Sequence, residues 1–534
     1  MVHVMRNVSR YLKAIALLGF LVYIALSTLT LAKYAKDADV KSNNTVSTSG
    51  DAHGYQKMAV NILRGLGPAD SESLPLSEYK LDLSTPWGEA ALAYERQNGP
   101  RPVNSHFDRP PGFPLMLAAT YSITGVNSLY ARYLIAICVS LGALFLALGG
   151  YCVSPTLGAL AGMLTAFIYL SAAQPAWFDG ILTEIPASFW VAAFFAFFAL
   201  YERLDDQRSQ HLKTTAMAIS AFSLTMAIFT RFNFFTVIPF MVAYLVWRRA
   251  SRFRVILFLL ITCIPLALWS SYASSKLGKF TFLSTQGSGL FATSNNIDSL
   301  NGLGADGWNR GGWNPGWIKG QDGSLSCDYR YLPPDGSGWK RGLSFWRQNL
   351  SELPRLFYNK AEKGLWYNDG IVTLPTKPEG FHILAICFLL LAIGQRHLSR
   401  EGSNPSHALG WVNLTQVALI TAAVYCWNTV PFYWILTIWI GLLILSLLRA
   451  IRGTPRLWLP MPLWAASFAL SHVISTLVFY GSWRFHQPFD LLMFFLAFFG
   501  LMATIKAVYE KNGPTGILTG ITWAALIARQ FQLV

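Results

Sequence analysis

Long apolar stretches alternate with short polar loops along most of this chain. A helix needs about 20 apolar residues to cross the hydrocarbon core of a membrane. By this criterion the pattern predicts about thirteen transmembrane helices, near residues 15 to 33, 130 to 150, 154 to 173, 184 to 203, 213 to 230, 233 to 248, 253 to 273, 381 to 395, 408 to 427, 431 to 449, 457 to 480, 488 to 506 and 515 to 530. The sequence therefore predicts an all-α polytopic membrane protein.

Two large polar segments interrupt the spans, at about 34 to 129 and 274 to 380. They divide the chain into an N-terminal transmembrane module (1–273, including the loop 34–129), a loop-rich domain (274–380) and a C-terminal transmembrane module (381–534). The stretch 113 to 126 is apolar but short, and we interpret it as a re-entrant or interfacial helix. The basic loops "ERLDDQRSQHLK", "WRRASRFR", "GQRHLSR" and "RAIRGTPR" then all face the cytoplasm, so both large segments are predicted to be extracytoplasmic.

Composition and charge agree with a membrane protein. Of 534 residues, 53% are hydrophobic and only 13% are charged, which excludes an ordinary soluble domain. The formal charge of +15 comes largely from the loops between spans, so we expect no nucleic-acid partner. The basic N-terminus and the first apolar stretch resemble a signal peptide without a cleavage site, and we expect a retained first span in a bacterial inner membrane.

One amphipathic helix is predicted just after the first span, in "GDAHGYQKMAVNILRGLG". Its apolar positions recur at helical spacing, at Tyr55, Met58, Ala59, Ile62, Leu63 and Leu66. We expect this helix to lie on the membrane surface. Asp51 stands at its head, where a carboxylate either caps the helix or deprotonates a hydroxyl group. The same helix carries Tyr55 and Lys57, which are candidate substrate-binding residues.

Further candidate residues lie at the predicted outer face in distant segments. Glu184, in "LTEIPASFW", is either a helix-start carboxylate or a site residue, because an acid near lipid needs a cavity or a partner. Arg109, in "HFDRPPGFP", either pairs with a neighbouring acid or binds a phosphate. Three more basic substrate-binding candidates are Arg231, Lys363 and Arg484. Arg231 near a span end could simply snorkel, and Lys363 could form a basic pair with Lys360 ahead of a span.

Six short motifs in order resemble the membrane glycosyltransferases of the GT-C class, in particular the branch related to protein O-mannosyltransferases and lipid A aminoarabinose transferases. They are "GDAHGYQKMAVNILRGLG", "RPPGFPLMLAATYSITG", "LTEIPASFW", "FTRFNFF", "STQGSGLFATSNN" and "WRFHQPFDLLMFFLAFFGL". The resemblance implies a GT-C-type fold and transfer of a sugar, usually with inversion, from a polyprenyl-phosphate donor to a lipid-linked glycan, a lipid or a protein at the outer face.

The resemblance also implies roles for individual residues. Asp51 corresponds to the catalytic base, Glu184 to a second acidic position and Arg109 to a basic residue near the donor phosphate. Arg484 and His486 match a basic element before a late span, although His486 replaces the usual second arginine. Some relatives use a divalent metal ion held by acidic residues, for which Asp51 and Glu184 are the candidates. Two carboxylates are a weak donor set, so the sequence leaves the metal open.

Two other classes of protein remain as alternatives. A lipid or glycan transporter is also polytopic, but it more often carries charged residues in the middle of its spans. A membrane acyltransferase is suggested only by the HxxxD spacing of His486 and Asp490, a pattern that arises often by chance. A lipid-linked donor suits a chain without a GxGxxG motif in a strand-turn-helix context, the usual signature of dinucleotide binding.

The predicted topology can be tested by cysteine labelling. Single cysteines at Ser73 and Ser324, in a Cys327→Ser background, should both react with a membrane-impermeant thiol reagent in intact spheroplasts, because both large polar segments are predicted to lie outside. Protection of either cysteine until the membrane is permeabilised would contradict this topology.

Overall fold

The structure, a computed structural model, describes the chain in several segments. They are residues 2–46, 51–100, 107, 109–173, 175–205, 209–301, 317–319, 325–327, 338–366, 464–479 and, towards the end, 488, 489, 491, 492, 494, 495 and 499.

The N-terminal half is a succession of helices, two of them preceded by a single turn of 3₁₀ helix. The α-helices are α1 (Val2–Lys41), α2 (Ala52–Leu63), α3 (Pro86–Asn98), α4 (Gly112–Thr124), α5 (Ser128–Val153), α6 (Leu157–Ala172), α7 (Ala176–Asp179), α8 (Glu184–Arg203), α9 (Gln210–Thr230), α10 (Val237–Trp247) and α11 (Arg252–Leu277). The 3₁₀ turns are Leu76–Tyr79, before α3, and Phe232–Thr236, before α10.

The second half continues with short helices and one small sheet. The helices are α12 (Gln286–Ser294), α13 (Ile297–Asn301), α14 (Gly338–Gln348), α15 (Leu353–Trp366) and α16 (Ala465–Val478), with a 3₁₀ turn at Leu350–Glu352. Strands β1 (Trp317–Lys319) and β2 (Leu325–Cys327) pair antiparallel, with Trp317 opposite Cys327. Apart from this pair of three-residue strands the described elements are helical, as predicted for an all-α protein.

Five helices of the described residues are long and apolar enough to cross a membrane: Leu17–Lys41 within α1, and α5, α8, α9 and α11. They fall where the apolar pattern predicts spans. α6 and the Phe232–Trp247 segment are shorter apolar helices. The predicted spans from 381 to 449 and at 515 to 530 lie outside the described residues. α4 has 13 residues, about 20 Å of helix, which is shorter than a span requires.

The centre of the bundle is α8, most of whose residues are buried on every side. Three phenylalanines of this helix, Phe194, Phe195 and Phe198, are fully buried. Phe194 and Phe198 contact the indole ring of Trp464 at centroid distances of 5.6 and 4.9 Å. Aromatic packing therefore joins α16, from the C-terminal part of the chain, to the N-terminal bundle.

α5 and α6 approach each other closely along a seam of glycines. A Cβ atom on Gly162 would lie 2.6 Å from the carbonyl oxygen of Leu146. Gly150 and Gly158 face each other in the same contact. Between helices surrounded by lipid, where hydrophobic association is weak, such close backbone packing is a main source of attraction.

A buried ion pair fixes the neighbouring ends of α1, α5 and α7. Arg132 of α5 is 1% exposed and donates to Asp39 of α1 at 2.6 Å. It also donates to the carbonyl oxygen of Phe178 at 3.1 Å and to the hydroxyl of Ser42 at 2.8 Å. Ser128 donates a further hydrogen bond to Asp39. Buried charges are tolerated when they are paired and hydrogen-bonded in this way.

Substitution of Arg132 should therefore destabilise the bundle. Arg132→Leu leaves Asp39 as a buried charge without its guanidinium, and we expect a loss of about 3 to 5 kcal/mol. The exposed pair between Lys41 and Asp179, 3.2 Å apart, provides the control. Lys41→Met should cost at most about 1 kcal/mol. Thermal unfolding of the detergent-purified variants measures both effects, and equal midpoints for the two would contradict the structural role of Arg132.

Candidate functional site

α2 is the element around which the candidate site is built. Asp51 is its N-cap residue, with helical backbone angles and no capping hydrogen bond from its side chain. The side chain of Asp51 therefore does not cap α2, which is one of the two roles that the sequence allows. After α2 the chain turns through Gly65 and Gly67, whose φ angles of 75° and 89° are accessible to glycine at little cost.

α2 is enclosed by protein rather than lying on a surface. Its polar residues Gln56 and Asn61 are fully buried, as are Met58 and Ala59 of its apolar face. Gln56 donates to the carbonyl oxygen of Tyr79 at 3.0 Å and accepts a hydrogen bond from the Tyr121 hydroxyl. Asn61 donates to the carbonyl oxygens of Ala69 and Ser71, and Tyr79 donates to Asn61 at 2.8 Å. The sequence prediction of a surface helix is wrong because the following loop folds back and satisfies the polar face.

Arg109 connects the start of α2 with the loop that follows it. Its Nη2 atom lies 3.4 Å from Oδ1 of Asp51, and its Nη1 atom contacts Oδ2 of Asp70. The guanidinium packs against the backbone of Gly54, where an added Cβ would lie 2.6 Å from its Cζ atom. The absence of a side chain at residue 54 therefore makes room for this arginine between two carboxylates.

Lys57, one turn further along α2, completes this charge network. Its Nζ atom lies 3.1 Å from Oδ1 of Asp70 and 2.9 Å from Oε1 of Glu72. Burial by itself would raise the pKa of Asp70, but Arg109 and Lys57 outweigh it and lower that pKa below its ordinary value. Asp70 is therefore ionised in the folded protein and holds both cations in place.

His53 lies in the first turn of α2, among these charges. Burial, reinforced by the positive charges of Lys57 and Arg109, lowers the pKa of His53 from 6.5 to about 4. Among the described residues, its Nδ1 atom is buried and has no hydrogen-bond partner. At neutral pH this side chain is an uncharged imidazole.

A second charged pair lies at the start of α8. Glu184 is 2% exposed, and its Oε1 atom lies 2.8 Å from Nη1 of Arg231. Arg231 also donates to the hydroxyl of Thr183 at 3.3 Å. Glu184 and Arg231, 47 residues apart in sequence (231 − 184), are thus brought together.

Tyr55 stands between the two charged groups. Its hydroxyl hydrogen-bonds with Thr183, and its ring lies 5.9 Å from the Cζ atom of Arg109. Burial, followed by the negative charge of Asp51, raises the pKa of Tyr55 above its ordinary value, so the phenol stays neutral. Tyr55 therefore links Arg109 with the Thr183–Glu184 end of α8 through one side chain.

The basic candidates from the later part of the chain are not placed at this site. Arg484 and His486 lie outside the described residues. Lys363 belongs to α15, but its side chain also lies outside them. On the same helix, Lys360 is fully buried and donates to Asn295 at 2.8 Å and to the carbonyl oxygens of Leu477 and Val478. Lys360 therefore anchors α15 to the end of α16.

The residues present do not form a metal site. In the described part of the chain, no group of three or more His, Cys, Asp or Glu side chains is arranged to hold an ion. The two acidic candidates, Asp51 and Glu184, each face a guanidinium, at 3.4 and 2.8 Å. A hard divalent cation needs several oxygen ligands, which these two carboxylates do not provide.

Sequence analysis missed three residues of the network. His53 lies inside the first motif, so its presence beside Asp51 was the available signal. Asp70 and Glu72 follow α2 in the polar run "GPADSES", which carries no periodicity and no spacing that would mark a site. Their part in the network is seen only in the folded protein, where this loop packs against Lys57 and Arg109.

Comparisons with known proteins assign no role to the residues of this site. No protein-family model and no curated protein sequence matches the chain. One similar solved structure is the crystal structure of ArnT from Cupriavidus metallidurans bound to undecaprenyl phosphate. The identity is 14%, the match covers 93% of this chain and 81% of that chain, and the TM-score is 0.36. A TM-score of this size does not establish a shared fold.

The low pKa of His53 predicts how stability depends on pH. The unfolded chain takes up a proton on this residue below pH 6.5, whereas the folded protein does so only near pH 4. Stability should therefore fall on acidification from pH 7 to pH 5, by about 2 kcal/mol from this residue. His53→Asn removes the titrating group, so its thermal unfolding midpoint should fall less over this range. Parallel pH profiles for the two proteins would contradict a neutral His53.

Proposed function

We propose that this protein is a membrane glycosyltransferase that transfers a sugar from a polyprenyl-phosphate donor to an acceptor hydroxyl. The acceptor belongs to a lipid-linked glycan, a lipid or a protein, and the site faces the extracytoplasmic side. Five helices of the described residues are long and apolar enough to cross a membrane, the environment in which a polyprenyl chain lies. The order of the sequence motifs favours the GT-C class.

The observation that carries the proposal is the placement of Asp51 beside Arg109. A carboxylate about one third exposed (35%) lies 3.4 Å from a guanidinium that is 17% exposed. Transfer of a sugar from phosphate needs a proton acceptor for the incoming hydroxyl and a positive charge near the departing phosphate. Asp51 offers the carboxylate that accepts the proton, Arg109 offers the positive charge, and the two side chains are adjacent.

Asp51 and Arg109 account for the proton that the acceptor loses and for the negative charge on the departing phosphate. The acceptor oxygen forms a bond to the anomeric carbon while the bond from that carbon to the phosphate oxygen breaks. Asp51 takes the hydroxyl proton, and the polyprenyl phosphate leaves with the electron pair beside Arg109. Attack opposite to the leaving group inverts the anomeric centre. Asp70 and Lys57 position Arg109, while Tyr55 and the Glu184–Arg231 pair bound the site on its other side.

The distribution of charges disfavours the transporter alternative. The charged members of the buried pairs described above lie near helix ends, Arg132 in the second turn of α5 and Glu184 as the first residue of α8. A transport pathway would place such groups near the middle of the spans. The acyltransferase alternative depends on His486 and Asp490, both outside the described residues.

Substitution of Asp51 tests the proposal. Asp51→Asn keeps the size of the side chain but removes the proton acceptor, so sugar transfer from radiolabelled polyprenyl-phosphate donors should fall by roughly 10² to 10⁴. Glu184→Gln should reduce transfer less, because we assign Glu184 to positioning the substrate.

A matched variant separates loss of the base from loss of an ion pair. Asp70→Asn also removes a negative charge from Arg109, but it leaves Asp51 intact and keeps an oxygen that accepts a hydrogen bond from Arg109. Its rate, per folded protein, should therefore fall by no more than about tenfold. A wild-type rate in folded Asp51→Asn, or equal losses in the two variants, would contradict the assignment of Asp51 as the base.

A further inference from the structure

One side of α14 (Gly338–Gln348) is packed against protein. Gly338 lies against the backbone of Ser288 in α12, and a Cβ atom on Gly342 would lie 2.5 Å from the ring of Phe291. The ring of Phe291 also packs against Trp346, at a centroid distance of 5.3 Å. Positions 338, 342 and 346 recur every four residues, so they form one side of the helix.

Large apolar side chains are exposed on another side of α14. Trp339 is 46% exposed and Leu343 is 43% exposed, and the two are neighbours on the helix surface because they are four residues apart. Leu350, in the 3₁₀ turn that follows α14, is 68% exposed. A single exposed apolar residue is ordinary, whereas adjacent ones mark an interaction surface.

Basic residues border Leu343 on the same side. Lys340 precedes it by three residues and Arg347 follows it by four, and both are exposed. The sequence of α14 contains no acidic residue. Glu352, the next acid along the chain, lies 3.9 Å from Arg355. The exposed face of α14, formed by Trp339, Lys340, Leu343 and Arg347, therefore combines apolar surface with positive charge.

Packing against α16 places this face at one end of the apolar bundle. The ring centroids of Trp339 and Phe479 are 6.0 Å apart, and Phe479 directly follows the last residue of α16. α16 falls within the predicted span 457–480, and at its other end Trp464 packs against Phe194 of α8. Since the end of a span meets the membrane surface, Trp339 lies at the height where tryptophan is enriched in membrane proteins.

The segment that joins α11 to α12 lies at the same boundary. α11 is long and apolar enough to cross a membrane, and it ends at Leu277. Phe280, three residues further on, is 84% exposed, and Phe282 is 51% exposed. α12 then begins at Gln286 and carries Phe291, against which α14 packs. Exposed phenylalanines beside the end of a span suit the boundary between headgroups and acyl chains.

We propose that the exposed face of α14 rests on the membrane surface and binds anionic phospholipid headgroups. Trp339 and Leu343 enter the upper acyl-chain region, and Lys340 and Arg347 contact lipid phosphates. A helix that presents tryptophan and leucine beside lysine and arginine binds anionic lipid surfaces in preference to neutral ones. The proposal is independent of the reaction assigned to Asp51, because it uses none of the residues of the candidate site.

Photo-crosslinking with lipids tests the proposal on the wild-type protein. The protein is reconstituted in vesicles of phosphatidylglycerol and phosphatidylcholine in equal parts, and one of the two lipids carries a diazirine in the upper part of its acyl chain. Mass spectrometry should locate adducts at Trp339 and Leu343 but not at Gln348, which is exposed on another side of α14. Each basic residue near the surface strengthens the attraction roughly fivefold, so phosphatidylglycerol should give at least about fivefold more adducts than phosphatidylcholine.

Charge substitutions separate lipid recognition from simple proximity. The double variant Lys340→Gln, Arg347→Gln should reduce the preference for phosphatidylglycerol to within about twofold, because both cations of the face are lost. Arg341→Gln removes a positive charge from the opposite side of α14 and should keep the wild-type preference. All three side chains are exposed, so the fold should tolerate both variants.

The same experiment can contradict the proposal in several ways. It is overturned if α14 of the wild type gives no lipid adducts, if the two lipids label it equally, or if the double variant keeps the full preference for phosphatidylglycerol. A bifunctional reagent that joins α14 of two chains, where lipid adducts are absent, would assign this face to a second copy of the protein instead.

Discussion

The arrangement of the candidate site depends on pairing every charge that is withdrawn from water. Arg109 occupies the space left by Gly54 and meets carboxylates on both sides, Asp51 and Asp70. A guanidinium in this position without acids would carry a large desolvation penalty, and so would either acid without the guanidinium. The loop after α2 folds back and brings Asp70 against both Arg109 and Lys57, and these ion pairs stabilise the folded-back loop. The enclosure of α2 follows from the same requirement.

Two charged groups, rather than one, face the space around Tyr55. Asp51 with Arg109 is part of a network that extends into the loop after α2, whereas Glu184 pairs with Arg231 at the start of α8. The difference gives the two acids different surroundings: Asp51 is 35% exposed and Glu184 is 2% exposed. An accessible carboxylate suits exchange of a proton with a substrate, and an enclosed one suits a fixed position. This contrast is the structural basis for assigning them different roles.

Sequence pattern predicts the helices better than it predicts the site. Apolar periodicity correctly locates α2, α5, α8, α9 and α11, because helix formation and burial depend on local spacing. Motif order singles out Asp51, Arg109 and Glu184, and the structure places each of them in an ion pair, while their roles in a reaction stay a prediction. It does not identify Asp70, which lies 39 residues from Arg109, or the burial of Gln56 and Asn61. Such pairings depend on where loops return, and no local spacing encodes that.

The ion pair between Arg132 and Asp39 also constrains the order in which the chain is assembled. Asp39 precedes Arg132 by 93 residues, so Asp39 is synthesised before its partner. Until α5 has entered the membrane, the end of α1 must keep Asp39 in water, since an unpaired carboxylate is costly next to lipid. Docking of α1 against α5 can therefore begin only after the whole first loop, including α2, has been made.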